Sequence, residues 1–148
     1  MNKQVTFEVA KLLKEKGFDM PCNSCYEHAL NTQINPESNE PSGTFGWKEG
    51  ETNLQSGFFI NDYDGIDFSN DSWYMCAAPI IADVVMWLYE KHKIWISVDW
   101  LLETEDRWHF LLTRKLKDSV WVSDGNPLFN SPTEAYLSAI EYTLKKLL

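Results

Sequence analysis

At 148 residues, 44% of them apolar and 14% aromatic, the chain has the size and composition of one domain with a full hydrophobic core, which excludes disorder of the whole. With 22 Asp and Glu against 13 Lys and Arg the net charge is -9, which excludes a general affinity for nucleic acid, because phosphate binding depends on cations that displace counterions. The opening residues hold no apolar run and the longest charge-free stretch, residues 72–82, falls far short of the roughly 20 residues a bilayer needs, so neither a secretory leader nor a membrane span is expected.

Three cysteines, Cys22, Cys25 and Cys76, are an odd number in a chain too large to need covalent staples. Free thiols and a cytoplasmic setting follow as the expectation. The charge is unevenly spread. Residues 1–30 are balanced, residues 31–72 carry eight acids against Lys48 alone, and residues 73–148 carry ten acids against eight bases.

In chain order, Thr6 is placed to cap a helix over residues 6–16, which stops at Gly17, the residue that tolerates a left-handed backbone. Cys22-Asn23-Ser24-Cys25 with His28 is the most suggestive cluster, since thiolate pairs at this spacing chelate zinc and the histidine offers a third ligand. A fourth would come from Cys76, His92 or His109. The competing reading is a pair of inert, partly buried thiols, because no second close-spaced pair accompanies the first.

The acidic segment 31–72 is rich in Gly, Asn, Ser and Asp and reads as loop. Short strands are expected within it, around Phe45-Gly46-Trp47 and Gly57-Phe58-Phe59-Ile60, because some 40 structureless residues would be unusual in a compact domain. Its run of Asp62, Asp64, Asp67 and Asp71 resembles a calcium loop but fails the register, since Asp67 and Trp73 stand where Gly and Glu are needed. A solvated turn is the reading retained, with a weak metal site or a binding surface as the alternatives.

Trp73–Ala77 reads as a strand that runs into Ala78-Pro79 and a central, nearly engulfed helix over 79–92, with only Asp83 and Glu90 clearly facing solvent. Three antiparallel strands follow, over 94–101, 107–115 and 119–123, the first two marked by alternation of Ile94, Ile96 and Val98 and of Trp108, Phe110 and Leu112. Ser131-Pro132-Thr133-Glu134 is a capping box that opens a helix over 132–147. The fold class is therefore α+β, a small antiparallel sheet packed with three helices in a single domain. Helix, three strands, helix is also the order of double-stranded RNA-binding domains. Those need a basic cluster where this chain has Pro132-Thr133-Glu134-Ala135, so no direct RNA contact is expected.

The outer face of that sheet is expected to present Trp95, Ser97, Asp99, His109, Leu111, Thr113 and Trp121. Two bare tryptophans there imply either that the acidic segment folds across them or that they meet a partner or a second copy. His109 with Asp99 also allows general-base chemistry of a hydrolase type, although no nucleophile stands at a telling spacing. Phosphate-binding loop, dinucleotide fingerprint, nucleophile elbow and paired-histidine zinc helix are all missing from the sequence.

Three blocks carry a resemblance: Thr6–Asp19, then Ala78-Pro79 with Trp87–Ile94, then Glu134-Ala135-Tyr136 and the closing helix. Together they are similar to a family of small uncharacterised proteins of Bacteroidetes and of their phages and integrated elements. The resemblance covers about a third of the chain and implies a shared fold and an accessory role on a mobile element. It transfers no catalytic residue. The functional expectation is a cytoplasmic, non-catalytic interaction protein, with a zinc-binding protein and a hydrolase as the alternatives.

Overall fold

The computed structural model describes residues 3–30, 33–34, 37, 41–42, 49–61, 72–101, 107–116 and 119–148. Helix α1 (Phe7–Glu15) starts where Thr6 accepts a hydrogen bond from the Val9 N–H at 3.4 Å and ends before Gly17, whose φ of 82° no side chain opposes. Strands β1 (Cys22–Ala29), β2 (Gln33–Ile34), β3 (Pro41–Ser42), β4 (Thr52–Phe59) and β5 (Trp73–Ala77) precede α2 (Ile81–His92). Then come β6 (Ile94–Leu101), β7 (Arg107–Leu116), β8 (Ser119–Phe129) and α3 (Pro132–Lys146). No described helix is long and apolar enough to cross a membrane.

Two three-stranded antiparallel sheets, ordered β4-β1-β5 and β6-β7-β8, share one core, and β2 pairs only with β3. Helix α1 lies on β5 and against α3, α2 packs on β6 and α3, and α3 crosses all of β6, β7 and β8. The buried side chains of Leu13, Phe18, Cys76, Trp87, Ile96, Phe110, Leu112 and Ile140 join these layers into one cluster. The α+β class and the β6-β7-β8 sheet are as the alternation predicts.

Several boundaries differ, each for a physical reason. Helix α2 begins two residues later than the expected 79, because Ile80 is extended and pairs with Gln4, while the Pro79 carbonyl accepts from the Val5 N–H at 3.0 Å. It is also less engulfed, since Met86 and Tyr89 are exposed beside Glu90. Strand β8 runs on past residue 123 to Phe129 through a register shift, with Phe110 opposite Gly125 but Trp108 opposite Phe129. That bulge lets the chain carry Pro127, which cannot donate to a ladder.

Strand β1 has no counterpart in the sequence reading. Its Ser24 hydroxyl donates to the Ala78 carbonyl and its Tyr26 hydroxyl to the Val5 carbonyl at 2.7 Å, so polar side chains are buried here with their partners. Strand β4 is longer than expected and forms the outer edge of its sheet, with a bulge at Gly57, φ 145°. The strand expected around Phe45-Gly46-Trp47 lies outside the described residues.

Candidate functional site

Alternation along β6 buries Ile94 and Ile96 against the helices and turns Trp95 and Asp99 outward. The ladder with β7 then sets Trp95 opposite Thr113, Ser97 opposite Leu111 and Asp99 opposite His109. Trp95 is 43% exposed and its ring meets the edge of Tyr89 from α2 at 5.7 Å, which holds it upright at the helix end. Of the helices, α2 and α3 supply the cover on the Ile94–Ile96 side. The outer side therefore presents an indole in one row and, beyond the Ser97–Leu111 row, a carboxylate paired with an imidazole.

Trp121 stands opposite Arg114 in the β7–β8 register, and Val122 opposite Thr113. Trp100 and Trp108 form a tryptophan row: they face each other across the hairpin, stacked at 6.5 Å, with Trp100 47% exposed.

His109 Nε2 lies 3.9 Å from Asp99 Oδ2, an ion-pair distance that is too long for a hydrogen bond. The imidazole is largely covered and the carboxylate open to water. Neither group has a serine, threonine or cysteine oxygen or sulfur hydrogen-bonded to it among the described residues. Tyr136 on α3 approaches the same end of the sheet, and burial first, then the Asp99 charge, pushes its hydroxyl above the usual tyrosine range. The pair is thus an electrostatic feature of a sheet surface.

Cys22, Cys25 and His28 share β1, and this separates them. A strand rises about 3.3 Å per residue, so Cys22 and His28 are roughly 20 Å apart along it. Tyr26 and His28 look toward α1, with Phe7 5.7 Å from the Tyr26 ring and stacked on His28 at 4.7 Å; His28 Nδ1 is 2.6 Å from Thr52 Oγ1, and residue 25 has the opposite parity. No group of three or more His, Cys, Asp or Glu able to hold a metal occurs among the described residues.

All three thiols are free and buried. Burial, with Asp83 adding to it, pushes Cys22 up to about 12; burial and Glu27 push Cys25 up to about 11; burial pushes Cys76 up to about 12. Such thiols carry almost no thiolate at neutral pH and are poor nucleophiles and poor ligands. His92 closes α2 with its Nε2 buried and its ring 4.7 Å from Trp87; burial, then the charges of Arg114 and Lys91, push its pKa down.

Asp62, Asp64, Asp67 and Asp71 lie outside the described residues. The described part of the acidic segment, Thr52–Phe59, pairs with β1 and so belongs to the other sheet, not to the Trp95 face. No protein-family model, curated protein or solved structure matches the chain.

Proposed function

We propose that the chain is a non-catalytic interaction domain of the cytoplasm that holds a basic protein against the outer face of β6 and β7. The observation that carries this reading is the exposure of Trp95 on the same outer face as Asp99, whose side chain is 63% exposed, two rows along β6 on a sheet whose opposite side is packed by α2 and α3. Tryptophan is enriched where one protein meets another, and an open carboxylate about 13 Å along the same face selects a cationic side chain of that partner. The net charge of -9 adds long-range attraction for a basic partner, most of it from residues 31–72. The same reading fits an accessory protein carried on a phage or mobile element, the context implied by the resemblance of the three sequence blocks.

Chemistry is the less supported alternative, because the thiols are buried, which pushes their pKa values up, and among the described residues no nucleophile is bonded to the Asp99–His109 pair. Affinity capture from the native host tests the proposal. Wild type is expected to retain a basic protein, and both Trp95→Ala with Asp99→Asn and the fourfold change of Asp62, Asp64, Asp67 and Asp71 to Asn are expected to recover at least about tenfold less of it. Equal recovery by all three proteins would remove the interaction reading.

A further inference from the structure

Among the described residues, strand β4 has only β1 as a neighbour, and the edge it turns away from β1 carries no charged residue from Thr52 to Phe59. From Thr52 to Asn61 the sequence has no Asp, Glu, Lys or Arg, in a chain of net charge -9. Leu54, Phe58 and Ile60 are 49%, 77% and 39% exposed along it. Exposed edge strands are usually guarded by lysine, proline or an inward charge, and none of these stands between Thr52 and Phe59.

The direction of its free hydrogen-bonding groups can be read from the neighbouring ladders. The Ala29 N–H donates to the Glu51 carbonyl, and the Ala78 N–H donates to the Ser24 carbonyl across β5. Odd residues of β1 therefore bond to β4 and even residues to β5, since bonded pairs alternate along an antiparallel strand. By the same alternation Glu51, Asn53 and Gln55 bond inward to β1. Thr52, Leu54 and Ser56 then present their N–H and C=O groups outward.

We propose that this edge pairs with the same edge of a second copy, β4 antiparallel to β4, on a two-fold axis through Leu54. In that register Leu54 meets Leu54 of the other copy and Thr52 meets Ser56 twice, so all three outward residues find partners, for about six backbone hydrogen bonds. The small Thr52 and Ser56 side chains stand opposite one another across the axis, where neither obstructs the pairing. Continuing the count, Phe58 comes opposite Gly50, which has no side chain to obstruct the ring. Charge selects the occupant: two copies of so acidic a chain repel over much of their surface, and this strand is a neutral, self-complementary place to meet. A basic peptide would gain nothing from an edge that holds no carboxylate. The result is one continuous six-stranded sheet across two protomers.

Sedimentation equilibrium of the full chain tests this. Wild type is expected at about twice the protomer mass at about 100 μM. Leu54→Lys and Leu54→Glu each place like charges opposite one another on the axis, and each alone is expected to sediment as a monomer with native circular dichroism. Mixed in equal amounts, the two are expected to recover the doubled mass, which a merely misfolded variant would not do. A monomeric wild type overturns the proposal. So does a dimer that survives both single variants, or a pair of monomeric variants that fails to associate on mixing.

Discussion

The three thiols report on how the interior is made. Because Cys22, Cys25 and Cys76 are all displaced upward by burial, the unfolded chain loses thiol protons from about pH 9 while the folded chain keeps them. The unfolded state then binds fewer protons, so this contribution to stability is complete below pH 9 and is lost as the pH rises toward about 12. Urea midpoints are expected to fall over that window more steeply in wild type than in Cys76→Ala, and matching slopes would show the thiols to be solvated. Native protein is also expected to resist iodoacetamide at neutral pH. His92 works in the other direction: its lowered pKa means that the unfolded chain binds the proton first, so stability falls as the pH drops below about 6.5. Asn61 is the buried polar residue with the clearest duty. Its Nδ2 donates to the Phe18 carbonyl at 3.1 Å and its Oδ1 accepts from the Ala77 N–H at 3.0 Å, tying the turn after α1 to the end of β5. Asn61→Ala should cost about 1–3 kcal/mol in urea unfolding, since it removes both hydrogen bonds and leaves the buried Ala77 N–H without its Asn61 acceptor.

At the scale of elements, what the sequence reveals depends on whether an element is built from apolar periodicity or from paired polar groups. Helix α3 was legible because its cap is local: Ser131 Oγ accepts from the Glu134 N–H at 3.2 Å, and Glu134 Oε2 reaches back to the Asn130 N–H at 3.2 Å. Ser131→Ala is expected to cost about 1 kcal/mol by thermal or urea unfolding, and a change within error would mean that the helix start is held by packing alone. Strands β6 and β7 were legible because one face of each is consistently apolar. Strand β1 was not, because Asn23, Ser24, Glu27 and His28 interrupt any period-two pattern, and the strand is completed by hydrogen bonds to Val5 and Ala78 that are remote in sequence. The spacing of Cys22, Cys25 and His28 suits a shared ligand set on a turn or a loop, whereas on β1 the three are spread along the strand.

For the whole molecule, composition gave the class and the charge, and the fold decides which surfaces remain open. Three helices and two sheets bury one core, leaving the outer side of β6 and β7 with Trp95 and Asp99, the Trp100–Trp108 row, and the uncharged edge of β4. If the sheet face takes a basic partner and the edge a second copy, as proposed, the two surfaces behave independently: Leu54→Lys should abolish self-association and leave capture of a basic protein intact. The claim on which the account turns is the proposed recognition by an indole and a carboxylate two rows apart on one sheet face of an acidic chain. It is tested most directly by the dissociation constant for the captured host protein, measured by calorimetry for wild type and Trp95→Ala at low and high salt. The account predicts a loss of about tenfold or more on removing the indole and a further weakening of both proteins as salt rises. An affinity that ignores both the indole and the salt would contradict it.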